Sequence, residues 1–332
     1  MPVNFDLPRW HPQALDTGQK HQQMSDVLSL HKIMIVGAGT MGAGIAAIYA
    51  AAGREVILVD PDLAARERAL SRFRAVVEQL SNAVHKPHLS LIPDIDDATE
   101  VELVIEAVPE IPDIKRALYR RLFKRLPPRA LVASNTSSLL PDDLVGELPT
   151  SEAARFAICH YWHPPHRLPL VEIVPGSRTA PETTESLKRI VAGTGSHPIV
   201  LNKAIPGFIG NRLQFAMLRE ALYLVELGIA SPETVDEVVR LSLGRRYLAS
   251  GPIEAADLGG LATFEKIAAL LIQQLAHSTE GMQLLKERVS AGCAGAHTGE
   301  GFYKWTDERR SKVAQRQAVA HTVLRMQEAS GS

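Results

Sequence analysis

A short apolar run, Lys32 to Val36, ends in Gly37-Ala38-Gly39-Thr40-Met41-Gly42 and passes at once into a stretch of helical period, Gly42 to Ala52. Few backbone arrangements need three glycines at that spacing between a strand and a helix. The first permits a tight turn, the second lets a pyrophosphate approach the main chain, and the third allows close packing of helix on strand. The helix start that follows offers free N–H groups to phosphate charge. A second run, Glu55 to Val59, ends at Asp60, eighteen residues beyond Gly42. A carboxylate there accepts both ribose hydroxyls of an adenosine and repels a 2′-phosphate. With Pro61 and Asp62 next instead of an arginine, the pattern predicts NAD and not NADP. The same residues are also compatible with a ligand-free strand, turn and helix in which Asp60 caps the helix beginning at Pro61.

The alternation continues downstream. Ala64 to Val84 reads as an amphipathic helix with Arg66, Arg68, Arg72 and Arg74 on a solvated face. Further strands read at Leu89 to Ile92, Val101 to Val108, Leu131 to Ser134, Phe156 to His160, Val171 to Val174 and Ile199 to Asn202. Helices read at Lys115 to Arg125 and Glu182 to Ala192. Apolar strands without polar alternation, separated by helices, predict an α/β Rossmann-type fold, a doubly wound and mostly parallel sheet covered on both faces. At Pro206 the character changes. Phe208 to Leu227, Pro232 to Leu243 and Phe264 to Gln274 all have helical period with no convincing strand between them, so an all-α C-terminal domain follows. The expected division is an N-terminal extension over 1–30, a dinucleotide-binding domain over 31–204 and a helical domain over 205–332. Glu308 to Glu328 reads as a terminal helix facing solvent or a partner.

Composition narrows the partners. A chain of 332 residues with 45% hydrophobic and 22% charged residues is globular and long enough for two cores. Lysine and arginine number 36 against 37 acidic residues, so no basic field exists to hold nucleic acid or an anionic membrane. Cys159 and Cys293 are far apart and form no CxxC, which excludes a disulfide framework or structural zinc and fits a reducing, cytoplasmic setting. Ile33 to Gly53 lacks charge but carries Gly37, Gly39, Gly42 and Gly44, and reads as a buried strand and helix, not a membrane span. Residues 1–30 show neither a basic n-region nor an apolar h-region, so they do not read as a secretory signal.

The chemistry sits at strand ends. Ser134-Asn135-Thr136-Ser137-Ser138 follows an apolar strand and places its polar groups at the carboxyl edge of the sheet, where ligands bind in open α/β folds. His160 ends the next strand. Glu172 lies within the one after, and a carboxylate in a buried strand needs a partner. Hydride transfer from an alcohol needs a base for the hydroxyl proton, a group that holds the base, and polar groups that fix the substrate.

These residues resemble the L-3-hydroxyacyl-CoA dehydrogenase family in its short-chain form. The resemblance runs through the glycine hexad, Ile105-Glu106-Ala107-Val108-Pro109-Glu110, Ser134 to Ser138, His160 to Pro164 with Leu170-Val171-Glu172, and Pro206-Gly207-Phe208-Ile209-Gly210-Asn211-Arg212. It continues through Gly251-Pro252-Ile253-Glu254 and ends at Thr298-Gly299-Glu300-Gly301-Phe302-Tyr303-Lys304. It implies an NAD-dependent oxidoreductase of fatty acid metabolism that interconverts a 3-hydroxyacyl substrate, such as 3-hydroxybutyryl-CoA, and its 3-oxo form. His160 then matches the general base and Glu172 its carboxylate partner. Ser137 and Asn211 match the groups that bond the substrate oxygens and the base, and a site between the domains and a homodimer are implied. Glu110, Lys115 and Lys304 match residues around the cofactor, Asn135 lies in the same loop as Ser137, and His163 holds the position of a residue that faces the nicotinamide half of the cofactor. Read singly, Glu110 with Lys115 is also an ordinary surface pair, Ser137 a turn or helix cap, and Lys304 a solvated cation.

The chain departs from the family at His163, where an asparagine is usual. His160, His163 and His166 form an HxxHxxH run, but Pro164 and Pro165 interrupt it and deny the i, i+4 helical geometry of a zinc pair, so no metal is expected. The loop containing Trp162, Pro164, Pro165 and His166, leading to Pro169-Leu170-Val171-Glu172-Ile173-Val174-Pro175, is closer to relatives acting on non-CoA hydroxy acids or alcohols, of gulonate, carnitine or pyridine-alcohol type. A non-catalytic, crystallin-like NAD-binding protein is the alternative of another class. The hydroxyisobutyrate type of dehydrogenase uses a lysine after the domain boundary, and no lysine occurs from Ala204 to Gln214.

Overall fold

The computed structural model describes residues 31–80, 87–97, 100–277 and 282–329. The predicted extension over 1–30 and residues 81–84 of the predicted second helix lie outside the described residues. The chain divides into two compact units, Met1–Phe208 and Ile209–Ser332.

Among the described residues, the first unit is built on one sheet of eight strands. They are β1 (Lys32–Val36), β2 (Glu55–Val59), β3 (His88–Ile92), β4 (Leu103–Glu106), β5 (Leu131–Ser134), β6 (Phe156–Tyr161), β7 (Leu170–Pro175) and β8 (His197–Val200). The spatial order is β3-β2-β1-β4-β5-β6-β7-β8. Pairing is parallel throughout except between β6 and β7, which run antiparallel. The helices of this unit are α1 (Thr40–Ala51), α2 (Leu63–Gln79), α3 (Pro112–Phe123), α4 (Pro141–Val145), α5 (Thr150–Ala153) and α6 (Pro181–Ala192).

Strand alternation sends successive side chains to opposite faces, and both faces are dry. Ile33 and Ile35 join Ala43, Ala46, Tyr49, Leu58 and Phe73 in one core, whereas Met34 and Val36 join Tyr119, Leu122, Val132 and Phe156 in the other. A third small cluster gathers Ile158, Val174, Leu201 and Phe208.

Element boundaries move for local reasons. The predicted strand from Val101 to Val108 pairs only over Leu103–Glu106, because the Val108 N–H turns back to the Glu106 carboxylate at 2.7 Å. The last strand forms at His197–Val200, two residues earlier than predicted, since His197 pairs opposite Leu170 of β7. Its Pro198 is tolerated on an edge strand that needs no donor on its outer side. Helix α3 starts earlier than predicted, with Pro112 in its first turn, where the missing N–H costs nothing.

The second unit contains α7 (Gly210–Glu226), α8 (Pro232–Leu241), α9 (Leu243–Tyr247), α10 (Pro252–Gly259), α11 (Leu261–Leu271), α12 (Gln283–Ser290) and α13 (Asp307–Ala329). Ser231 caps α8 by accepting from the Thr234 N–H at 3.3 Å, and Pro232 follows at the first helical position. Glu220 of α7 accepts from the Ala276 N–H at 2.7 Å, and Tyr303 donates to Asp236 of α8 at 2.7 Å. Ile253, Leu258 and Leu270 are about four-fifths exposed, at 83%, 79% and 81%.

Candidate active site

The glycine turn stands where the strand order reverses, between β1 and β4. Gly37 has φ +108°, and a Cβ there would lie 2.5 Å from the Ala107 carbonyl oxygen. Only glycine accepts both conditions. A Cβ on Gly42 would lie 1.8 Å from the Gly37 carbonyl oxygen, and one on Gly44 would meet the Pro165 ring at 2.7 Å. Gly39 differs, since a Cβ there would meet nothing within 4 Å. The second glycine therefore borders open space at the start of α1, whose first turn has no side-chain cap. Open backbone and uncapped N–H groups are what a pyrophosphate requires. Ala38 is buried and Met41 packs against the core, while Thr40 is exposed.

Asp60 fixes this turn. Its Oδ2 accepts from the Ala38 N–H at 2.8 Å and its Oδ1 from the Asp62 N–H at 2.9 Å, while Arg66 donates to its carbonyl. It does not cap the following helix. That role falls to Asp62, which accepts from the Ala64 N–H at 2.9 Å. Asp60 thus stands half-buried at the end of β2, beside the turn, with lone pairs remaining for ribose hydroxyls.

Beyond β4 lies a buried polar hub that sequence reasoning did not find. Glu106 is fully buried and accepts from the Val108 N–H at 2.7 Å, Lys115 Nζ at 2.6 Å, Ser134 Oγ at 2.6 Å and the Tyr119 hydroxyl. Lys115 also reaches Glu110 at 3.2 Å and is itself only 1% exposed. The surface-pair reading of Glu110 and Lys115 therefore fails for the lysine. Glu110 in turn holds the loop after β5, accepting from the Thr136 hydroxyl, the Ser137 N–H at 3.1 Å and the Ser138 hydroxyl at 3.1 Å. Burial opposes the charge on Glu110, but the Thr136 hydrogen bond, the Lys115 ammonium and Ser138 outweigh it and hold the carboxyl below its ordinary value. The signal for this hub was a carboxylate closing an apolar strand, followed by Lys115 and Tyr119 one helical turn apart on α3.

Asn135 ties that loop to β6, its Oδ1 accepting from the Tyr161 N–H at 2.9 Å. Ser137 is exposed at the tip. On β6, His160 is directly opposite Glu172 of β7, and His160 Nδ1 lies 2.9 Å from Glu172 Oε2. Both side chains are buried, at 6% and 2% exposure. A carboxylate can only accept, so Nδ1 donates to it, and in the neutral imidazole the lone pair is then on Nε2. The imidazole is flanked by the Phe208 ring at 5.4 Å and the Trp162 ring at 5.7 Å. Trp162 Nε1 donates to the same Glu172 oxygen at 3.3 Å, a contact the sequence did not announce.

His163 is exposed in the loop after β6. Among the described residues, no three histidine, cysteine or acidic side chains converge on a metal position. Also among them, no helix is long and apolar enough to cross a membrane. Asn211 falls in the first turn of α7, and exposed Lys304 in a β-bridge with Glu300, both in the second unit.

A switch-point glycine turn with an acidic residue ending the next strand is the architecture of dinucleotide-binding proteins. The comparisons narrow that class. Residues 32–204 match the family model described as 3-hydroxyacyl-CoA dehydrogenase, NAD binding domain, and residues 207–305 match its C-terminal domain. The chain belongs to the 3-hydroxyacyl-CoA dehydrogenase family, and it is an NAD-dependent oxidoreductase acting on CH–OH. It is 34% identical over 287 residues to the 5-formyl-3-hydroxy-2-methylpyridine 4-carboxylate 5-dehydrogenase of Mesorhizobium japonicum, covering 84% of this chain and 92% of that one. It is 31% identical to a probable 3-hydroxybutyryl-CoA dehydrogenase of Deinococcus radiodurans, over 82% of this chain and all of the relative. Among solved structures, a crystal structure of the pyridine-carboxylate enzyme, described as an NAD+ dependent dismutase, aligns at TM-score 0.83 with 33% identity, covering 90% of this chain and 99% of that one. A (S)-3-hydroxybutyryl-CoA dehydrogenase from Ralstonia eutropha aligns at 0.67 with 30% identity, over 84% of this chain and 100% of that one.

Proposed function

We propose that the chain interconverts a 3-hydroxyacyl type of substrate and its 3-oxo form, with His160 as the general base and Glu172 as the group that holds it. The observation that supports this reading most is the 2.9 Å contact between His160 Nδ1 and Glu172. It fixes the tautomer and leaves Nε2 free to take the hydroxyl proton during oxidation and return it during reduction. NAD, when bound, supplies the hydride acceptor. Gly37 to Gly42 and Asp60 are assigned to its adenosine and pyrophosphate, and Glu110, Asn135, Ser137, His163 and Lys304 to the remainder. Lys115 serves that cofactor through Glu110 and not by direct contact, because it is buried and bonded to two carboxylates. Ser137 and Asn211 are assigned to the substrate oxygens.

A second reading of the substrate is favoured by one observation. The alignment with the pyridine-carboxylate dehydrogenase, at TM-score 0.83, exceeds the 0.67 with a 3-hydroxybutyryl-CoA enzyme. On that likeness the substrate would be a small ring compound carrying a carboxylate, without CoA. A panel following NADH absorbance with 3-hydroxybutyryl-CoA, free 3-hydroxybutyrate, carnitine, gulonate and pyridine alcohols or aldehydes separates the two. Turnover confined to the thioester supports the first, turnover confined to the pyridines the second. Failure to reduce NAD with any member would overturn both substrate readings.

We further propose a homodimer in a reducing, cytoplasmic setting. The large apolar side chains left exposed on α10 and α11, Ile253, Leu258 and Leu270, are what a second copy would cover. Light scattering on the purified chain tests it, and a monomeric mass at micromolar concentration would remove it.

A further inference from the structure

Glu172 Oε2 receives two neutral donors from different directions, His160 Nδ1 at 2.9 Å and Trp162 Nε1 at 3.3 Å. The side chain is 2% exposed, so its charge is held by protein groups and not by water. The two donors differ in chemistry. An imidazole gains and loses a proton during turnover, whereas an indole N–H donates in every state and never accepts. The Trp162 ring also lies 5.7 Å from the His160 ring at an interplanar angle of 52°, so it packs beside the imidazole as well as bonding its partner.

We propose that Trp162 is a positioning residue that stabilises the Glu172 carboxylate while His160 is neutral and so keeps the histidine ready to act as a base. The inference rests on the reading of His160 and Glu172 given above. The physical reason is competition for one oxygen. Without the indole donor, the buried carboxylate would depend more on His160 and would draw it towards the imidazolium form, which cannot accept a proton. With the indole in place, part of the carboxylate's field is already satisfied, and the neutral imidazole is favoured. The other groups near His160 leave this argument intact. On the opposite face of β6, Tyr161 and Cys159 are buried and stay neutral, because burial raises both. The Phe208 ring on the remaining side is apolar. His163 and His166 lie in the loop after β6, so the assignment must be made residue by residue.

The test needs no knowledge of the substrate. The full chain with bound NADH is labelled with 15N-histidine, and the imidazole resonances of its 12 histidines are followed against pH. His160 is identified as the signal absent from His160→Gln. In Trp162→Phe, which keeps a ring beside His160 and removes the N–H, the His160 midpoint is expected to move up by about 0.5 to 1 pH unit. If Trp162→Phe does not fold, site-specific replacement of Trp162 by its benzothiophene isostere removes the N–H at constant shape and carries the same expectation. A midpoint unchanged within the error of the titration overturns the role of Trp162, since packing alone would not require a shift. The underlying reading fails separately. If a substrate from the panel is turned over by His160→Gln with an unaltered pH limb, His160 is not the base, whatever Trp162 does.

Discussion

His160 and Glu172 stand opposite each other across the antiparallel pairing of β6 with β7, with Nδ1 and Oε2 at 2.9 Å. Because β7 runs back against β6, a residue near the start of β7 lies beside one near the end of β6. The reversal puts the carboxylate at the carboxyl edge of the parallel strands, where the glycine turn and the Ser134 to Ser138 loop also end. Replacing His160 by glutamine should lower kcat by about 10²- to 10⁴-fold, the usual contribution of a positioned base, while NADH affinity stays unchanged. Glu172→Gln should lower kcat in the same direction. Full activity in His160→Gln would contradict the assignment.

The three glycines of the hexad should separate by experiment. Gly39→Ala adds a Cβ into open space, so folding should be unaffected and NADH should bind more weakly in a fluorescence titration. Gly37→Ala meets the Ala107 carbonyl at 2.5 Å with φ +108°, and should cost stability by at least about 1–2 kcal/mol from the backbone alone, before the clash is added. Equal effects of the two substitutions on urea unfolding would refute the distinction.

Lys115 and Glu106 form a buried pair at 2.6 Å, both at 1% exposure or less. Lys115→Met leaves Glu106 buried without its cation and should destabilise the chain by about 3–5 kcal/mol. Adding Glu106→Gln to it should recover part of the loss. Urea midpoints of the single and double variants decide the matter, and a double variant as unstable as the sum of the singles would argue against a pair.

Glu110 gives a pH signature. Its carboxyl is held below the ordinary value in the folded chain, so the unfolded chain binds that proton more tightly. The stability it contributes is complete above the ordinary glutamate value of about 4.3 and is lost as the pH falls through the lowered folded value. The difference in urea midpoint between the wild type and Glu110→Gln should therefore be level from about pH 6 to 8 and shrink on acidification below about pH 4.3. A gap that widened in acid would have the wrong sign.

The two cysteines should differ in reactivity. Burial pushes the Cys159 thiol up to about 12, and it lies inside β6, whereas Cys293 is only half-buried. Iodoacetamide at pH 8 should alkylate Cys293 in the native chain and reach Cys159 only after denaturation. Mass spectrometry showing rapid native labelling of Cys159 would mean that β6 opens locally.

The glycine turn, Asp60, and the alternation of strand and helix were legible because their causes are local. Hydrophobic period, a φ that only glycine accepts at Gly37, and proline at helix starts act over a few residues. The change to helices after Pro206 was legible for the same reason. His160 and Glu172 were each recognisable as chemistry needing a partner. That they partner each other was supplied by resemblance, and their cross-strand register appears only once β7 is seen to turn against β6. The hub at Glu106 was missed although its residues were in view. Its four donors come from the loop after β4, from α3 and from β5, separated by up to 28 positions, and desolvation of that carboxylate exists only after the sheet and α3 close over it. Trp162 reads in the sequence as part of a loop, and in the structure it donates to Glu172, ten residues away across the strand pair. The sequence by itself thus determined the cofactor turn and the order of elements, which rest on short-range sterics and hydrophobic period. The tertiary structure alone decided which buried charges meet, because burial and strand direction are properties of the assembled sheet and not of any segment within it.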